Sequence, residues 1–364
     1  MRILITGGAG FVGSSVALML KRDTADVRVC ALDNLRRRGS ELALERLRAH
    51  GVEFVHGDVR SPDDLADVGA FDLLLECSAE PSVHAGYNGR PSYVLQTNLA
   101  GTINCLELAR RHHADVIFLS TSRVYPIAAL RALPLERCGR RLDIPADAAG
   151  PGWSHKGISG AFPLTGYRSM YGATKLASEL LVEEYRAMYG LRTVVNRCGV
   201  VSGPWQMGKV DQGFLVLWAA RHLYGGMLSF TGFGGEGLQV RDVLHVADLY
   251  DLIRVQMRDL DRHSGAVLNV GGGHAHSLSL AELTARCSAR AGHSVPVGAD
   301  PRTSEADVPY YVSDNTAATA ATGWAPTRSL DRILDDVFDW LREHRATLEP
   351  VLGSPAPAPV PATS

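Results

Sequence analysis

Short apolar runs alternate with longer amphipathic stretches through the N-terminal half of the chain. The runs Ile3–Ile5, Val27–Leu32, Glu53–His56, Leu73–Glu76, Val116–Ser120 and Thr193–Asn196 have strand length, and apolar residues recur at helical spacing over Phe11–Leu20, Tyr93–Arg111 and Ser169–Tyr189. This alternation predicts an α/β fold with a doubly wound parallel sheet, because a parallel connection needs a crossover and a helix supplies it. Between Pro126 and Arg168 the periodicity dissolves into Pro, Gly and Arg. That stretch is too long for an ordinary connection and predicts a loop over the site, a candidate lid. From Gly203 onward, glycine turns at Gly225–Gly226, Gly232–Gly237 and Gly271–Gly273 separate short elements, the pattern of a smaller α+β substrate-binding lobe. An amphipathic helix over Leu330–His344 precedes a Pro/Ala-rich end that cannot bury apolar surface. The expected division is a Rossmann-type nucleotide domain at 1–197 and 238–265, the second lobe at 198–237 and 266–348, and a disordered tail at 349–364.

The first strand runs directly into glycine. Gly8, Gly10 and Gly13 have the spacing of a dinucleotide turn: one for the turn, one for backbone approach to a pyrophosphate, one for close packing of helix on strand. The following helix then aims unpaired N–H groups at the phosphates. Twenty residues on, the second apolar run ends in Asp33, a carboxylate placed for adenosine ribose hydroxyls, which repels a 2′-phosphate and favours NAD. Arg36, Arg37 and Arg38 follow and keep NADP as the alternative.

Charge and composition narrow the partners. The 37 basic and 39 acidic residues give a formal net charge of −2, which sets up no general field for nucleic acid or membrane phosphates, and the arginine run reads as a solvated loop. Six scattered cysteines without a C-x-x-C pair read as reduced thiols, and thirteen histidines without H-E-x-x-H spacing give no metal site. A strand beginning at residue 2 leaves no room for a signal peptide, and no apolar segment has spanning length, so a soluble cytoplasmic protein is expected.

The candidate chemistry begins at Tyr171 and Lys175, a Y-x-x-x-K pair in a chain with four lysines. Four-residue spacing puts both on one helical face, where an ammonium near a phenol makes it a better proton acceptor. A hydroxyl partner is available where the Val116–Ser120 run ends in Thr121 and Ser122, at the carboxyl end of a strand, the place where open α/β sheets collect functional groups.

The string T-G-G-A-G-F-V-G at Thr6–Gly13, with Asp33-Asn34, Gly57-Asp58, Thr121, Tyr171-x-x-x-Lys175 and R-D-V-L-H at Arg241–His245, resembles an extended short-chain dehydrogenase/reductase of the NAD-dependent epimerase/dehydratase kind, over nearly the whole chain. Within it, F-V-H-G-D at Phe54–Asp58, S-T-S-R-V-Y at Ser120–Tyr125, D-Q-G at Asp211–Gly213 and G-L-Q-V-R-D-V-L-H at Gly237–His245 are similar to epimerases acting at carbon 2 of CDP-hexoses, and imply a substrate of the CDP-paratose or CDP-glucose type. The resemblance implies that Gly7, Gly10, Phe11, Val12 and Gly13 hold the NAD pyrophosphate, that Asp33 and Asn34 hold its ribose, that Asp58 and Val59 flank adenine, and that Ala79, Asn98, Tyr171 and Lys175 line the rest of the cofactor. It implies Thr121, Tyr171 and Lys175 as the catalytic set and Ser82, Ser122, Arg123, Gln212 and Arg241 on the nucleotide sugar. A homodimer or homotetramer is implied as well.

Three departures stand out. Pro126 replaces the glycine usual after V-Y, Val200 replaces an asparagine usual three residues after the position of Arg197, and Ser304 replaces an arginine near Asp307, with Arg302 as a substitute. Related dehydratases follow their threonine with Asp-Glu, and epimerases that deprotonate carbon carry an added acid/base there, whereas this chain has Ser122-Arg123. What is left is oxidation of a carbinol and return of the same hydride to the opposite face, an isomerase needing NAD, Tyr171, Lys175 and Thr121. A UDP-sugar 4-epimerase and a nucleotide-sugar ketoreductase would use the same groups, and a non-catalytic NAD-sensing protein is the alternative outside enzymes.

Overall fold

The computed structural model describes residues 1–24, 26–87, 89–208 and 212–353. Five strands, β1 (Arg2–Thr6), β2 (Arg28–Asp33), β3 (Glu53–His56), β4 (Leu73–Glu76) and β5 (Asp115–Thr121), join Thr193–Cys198 and Ala266–Val270 in one seven-stranded sheet. All its neighbours are parallel, in the order Ala266–Val270, Thr193–Cys198, β5, β4, β1, β2, β3. The strands are apolar on both faces because both are covered. Ile3, Ile5 and Leu75 pack under the helices Phe11–Asp23 and Val246–Arg258, while Leu4, Leu74 and Phe118 pack under Gly101–His112 and Met170–Tyr189. The order reverses between β1 and β4, so the carboxyl ends of those strands open a crevice.

The second lobe is built on Val240–His245, which pairs with Val200–Ser202, Ser277–Ser279 and Tyr310–Tyr311. Its own core gathers Leu215, Trp218, Leu283, Ile333, Phe338 and Leu341. Both expected boundaries shift here. Ala266–Val270, assigned to the second lobe, is an edge strand of the large sheet, and Val240–His245, assigned to the nucleotide domain, is the spine of the small one. Apolar patterning identifies a strand but carries no information on which sheet it joins.

The stretch 126–168 is an ordered wall rather than a bare loop. It forms a helix at Ile127–Arg131, a hairpin of Glu136–Cys138 with Arg141–Asp143, and a small antiparallel sheet of Ala149–Gly150, Trp153–Ser154 and Gly157–Ile158. Ile127, Leu130, Leu133, Ile144, Ile158 and Phe162 are buried with Val240, Val308, Tyr310 and Val312 in one cluster. The Ile158 amide donates to the Val312 carbonyl at 2.7 Å and the Leu142 amide to the Leu238 carbonyl at 2.9 Å. Strands of two and three residues are too short to show a period. The stretch expected as tail from 349 is helical in its first residues, since Arg345–Leu352 is a helix with Leu348 and Leu352 buried, and residues 354–364 lie outside the described residues. Among the described residues no helix is long and apolar enough to cross a membrane.

Candidate active site

The crevice is a cleft of about 660 Å³ walled by both lobes. At its floor β1 turns through Gly7 at φ +64°, and the Gly10 amide donates to the Gly7 carbonyl at 3.0 Å. A Cβ on Gly13 would stand 2.3 Å from the Gly7 carbonyl oxygen, so only glycine lets the helix start this close to the turn. Gly8 presses on β2, where a Cβ would stand 2.6 Å from that of Ala31. No side chain caps the helix at Gly10, which leaves the backbone of Phe11, Val12 and Gly13 facing the cleft. Asp33 ends β2 with Oδ2 accepting from the Ala9 amide at 3.1 Å and Oδ1 from the Leu35 amide at 2.8 Å. Burial raises its pKa and these bonds oppose the rise. With Asn34, Val59 and Ala79 also on the wall, the donors and the carboxylate fit NAD: N–H groups for a pyrophosphate, an acid for ribose hydroxyls, a small residue for a flat ring.

Three expected contacts sit behind the wall instead. The Asp58 carboxylate takes Arg60 at 2.6 Å and the Asn34 amide at 2.9 Å, so it fixes Asn34. Asn98, buried in a π-helical turn at Gln96–Ala100, accepts from the Glu80 amide at 2.7 Å and donates to the Glu80 carbonyl at 3.1 Å and to Thr174 Oγ1 at 3.2 Å. It holds the loop that carries Ala79. Ser82 lies between Pro81 and Val83, which do line the cleft, and its amide donates to Glu80 Oε1 at 3.3 Å.

The catalytic candidates converge through one close approach. The helix Met170–Tyr189 is capped by Ser169, whose Oγ accepts from the Gly172 amide at 3.2 Å, and a Cβ on Gly172 would stand 2.1 Å from the Arg123 carbonyl oxygen. That glycine lets the helix seat on the turn Ser122–Val124, which brings Tyr171 opposite Thr121. Burial pushes the Tyr171 phenol up to about 12, opposed by the facing Thr121 side chain and then by the Arg123 guanidinium. Lys175, one turn further, is buried with Nζ 3.8 Å from the centre of the Phe118 ring and 3.5 Å from Glu76 Oε2. Another turn on, Glu179 takes the Arg197 guanidinium at 2.7 Å and the Ser120 hydroxyl. Glu76 and Glu179 belong to no motif of the sequence. Their signals are a charged residue closing the run Leu73–Glu76 and one continuing the Tyr171, Lys175 register.

On the sugar side, Ser122, Arg123, Gln212 and Arg241 all line the cleft. Arg241 Nη2 donates to Asp307 Oδ1 at 2.9 Å and to the Val308 carbonyl at 2.7 Å, while Arg123 Nη1 donates to the Ala306 carbonyl at 3.2 Å. In the arginine run Arg36 and Arg38 are exposed, as expected of a solvated loop, and Arg37 is half-buried. Arg37 bonds to Gln212 and to the Met207 carbonyl at 2.8 Å, tying the lobes together, and the Arg36 guanidinium stacks 4.1 Å over Tyr93. Arg302 is no substitute for the missing arginine, since its side chain is 89% exposed and pairs with Asp300. Asp211 lies outside the described residues.

A glycine cradle with a Tyr–Lys pair facing a strand-end threonine puts the chain among the extended short-chain dehydrogenases/reductases. A model of the NAD dependent epimerase/dehydratase family matches residues 3–271, and the chain belongs to that family, with NAD as its cofactor. It is 29% identical over 353 residues to CDP-paratose 2-epimerase of Salmonella typhi, covering 93% of this chain and 99% of the relative. It is 30% identical over 359 residues to dTDP-glucose 4,6-dehydratase of Streptomyces niveus, covering 96% of each. Among solved structures, a dTDP-glucose 4,6-dehydratase from Streptomyces venezuelae with NAD bound superposes with a TM-score of 0.76 at 28% identity, covering 96% of this chain and 100% of that one.

Proposed function

We propose that the protein is a nucleotide-sugar epimerase that inverts carbon 2 of a CDP-hexose through a transient ketone. The observation that carries this reading is Arg123. It occupies the position after Thr121–Ser122 where a second acid/base for dehydration or for carbon deprotonation would stand, and a guanidinium next to Arg241 serves neither. The choice of carbon 2 and of a CDP-sugar rests on the local strings and on the likeness to CDP-paratose 2-epimerase.

NAD, held by the Gly7–Gly13 turn and Asp33, would supply the hydride acceptor for the carbinol carbon and the donor that reduces the ketone from its opposite face. Tyr171, as phenolate, takes the hydroxyl proton during oxidation and gives it back during reduction. Thr121 orients that hydroxyl, and Lys175 and Arg123 bring positive charge toward the phenolate. Arg241 holds the diphosphate, so the ring keeps few fixed contacts and can turn.

We further propose that the protein pairs through the Gly101–His112 and Met170–Tyr189 helices. Leu180 and Met188 are 65% and 66% exposed there, and Ile103 is 37% exposed. Val94 and Leu106, on the same stretch, are buried inside the chain and take no part in that surface.

The test is incubation of CDP-, UDP-, GDP- and dTDP-hexoses with the protein as purified, without added cofactor, read by NMR. A CDP-sugar inverted at carbon 2 is expected, with turnover lost in Tyr171→Phe. Inversion of a UDP-sugar at carbon 4 would replace the reading with the 4-epimerase, and wild-type turnover by Tyr171→Phe would remove Tyr171 as the base.

A further inference from the structure

Just past Asp33 the chain turns at Leu35, with φ +55°, and the segment that follows reaches repeatedly for the second lobe before β3 begins. The Arg37 guanidinium donates to the Gln212 side chain and, at 2.8 Å, to the Met207 carbonyl. Gly39 presses on the Met207 side chain, where a Cβ would stand 2.6 Å from Cγ. Arg38 Nη2 donates to the Pro350 carbonyl at 2.8 Å, and Leu42 packs on the core of that lobe. Arg46, in the helix Ala43–Ala49, lies with its guanidinium 4.0 Å from the centre of the Trp205 ring. Its Nη1 is shielded from water and has no hydrogen-bond partner among the described residues, so the ring is what holds that end of the cation. Trp205 is in turn set against Trp340 and His344, with ring centres 5.7 and 5.0 Å away. It keeps a left-handed φ of +71°, a costly conformation for tryptophan that persists where the surroundings fix it.

We propose that Arg37 and Arg46 are the two jaws of a clasp that holds the lobes shut at the Asp33 end of the cleft and so gates the passage of the coenzyme. Arg37 and Gly39 line the cleft from one side there, and Trp205, Met207 and Gln212 from the other. A coenzyme held by the Gly7–Gly13 turn and Asp33 lies under that seam and leaves when the seam opens. Arg46 stands outside the cleft lining and acts on the seam through Trp205 alone. Because every contact in the clasp is between protein groups, it forms with or without the coenzyme and slows entry as well as exit. A reaction that borrows a hydride and returns it fails when the reduced coenzyme leaves between the two steps, so retention serves that chemistry. The clasp itself requires only that NAD binds.

The test is the rate at which protein loaded with radiolabelled NAD loses its label to excess unlabelled NAD, paired with the rate at which cofactor-free protein takes NAD up. A hydrogen bond to a charged group is worth roughly ten- to a hundredfold in an opening equilibrium, so Arg37→Met should speed release at least about tenfold. Arg46→Met, which loses a cation over a ring, should speed it about fivefold, and Arg46→Lys, which keeps the cation, should stay near wild type. Uptake should quicken by the same factors, leaving Kd within about threefold of wild type. Faster release with uptake unchanged would mean that the side chain binds the coenzyme directly, and would overturn the clasp. So would release within twofold of wild type in folded Arg37→Met/Arg46→Met. No sugar is present in either measurement, so the outcome is independent of which carbon is inverted.

Discussion

Glu179→Gln isolates what holds the catalytic helix in place. Glu179 lies two turns below Tyr171 on the face that meets the sheet, with 5% of its side chain exposed, and Arg197 opposite it is 8% exposed. Arg197 Nε lies 3.1 Å from each carboxylate oxygen, its Nη2 lies 2.7 Å from Oε2, and its Nη1 donates to the Tyr125 hydroxyl at 3.3 Å. Glutamine keeps the shape and removes the charge, so the guanidinium is left buried without a counter-ion. Breaking one side of such a pair costs about 3–5 kcal/mol, and the amide oxygen, still an acceptor, points to the lower end. Replacing both partners with apolar groups leaves no charge to strand, and Glu179→Leu/Arg197→Met should stay within about 2 kcal/mol of wild type. The assay is a double-mutant cycle on urea unfolding, with a coupling of about 2 kcal/mol or more expected. A cost below about 1 kcal/mol for Glu179→Gln, the level of a solvent-exposed pair, or simple additivity in the double variant, would refute the argument.

Other outcomes follow from single close contacts. Gly13→Ala would put a Cβ 2.3 Å from the Gly7 carbonyl oxygen, so NAD released from the purified variant on denaturation should fall at least about tenfold, with the second lobe intact by limited proteolysis. Leu180→Glu should convert a dimer to a monomer in light scattering at micromolar concentration, and a wild-type protein that is already monomeric would reject the pairing. With the phenol pushed up to about 12 by burial in the cofactor-free chain, Tyr171 must lose a proton to act as a base. Turnover should therefore rise with pH up to the phenol pKa of the loaded protein, and a rate that falls over that range contradicts the role.

Local signals carried the nucleotide half. The turn at Gly7–Gly13, the strand ending in Asp33 and the helix bearing Tyr171 and Lys175 are each written in consecutive residues, and each lies where the pattern put it. What the pattern could not carry was any choice between distant partners. Whether Val240–His245 joins the large or the small sheet depends on Val200–Ser202 and Tyr310–Tyr311, and whether Arg37 is solvated depends on Met207 and Gln212. The same limit separates residues that touch the cleft from those that hold its wall. Asp58 and Asn98 sit at positions implied by the family resemblance, yet their side chains are spent on Asn34, Arg60 and the Glu80 backbone.

The surroundings of Thr121 decide which hydrogen moves, and that can be read from one label. If the inverted carbon is the one that loses hydride, its hydrogen never meets water. A CDP-hexose deuterated at carbon 2 should give an epimer that keeps its deuterium in ordinary water. In heavy water, unlabelled substrate should gain no deuterium at carbon 2 or at carbon 3, the neighbour a ketone would acidify. The cleft lining includes the carboxylates of Asp33 and Glu80 and the thiols of Cys77 and Cys198, so enolisation has candidates. Glu80 Oε1 is engaged by the Ser82 amide at 3.3 Å, Asp33 is held by the Ala9 and Leu35 amides, and burial pushes the Cys198 thiol up to about 12 and the Cys77 thiol well above the ordinary range, which leaves both protonated and poor bases. Washout of the label, or solvent deuterium entering carbon 3, would overturn the direct route. Glu80→Gln would then show whether that carboxylate is the base, since exchange through it should vanish while oxidation by Tyr171 continues.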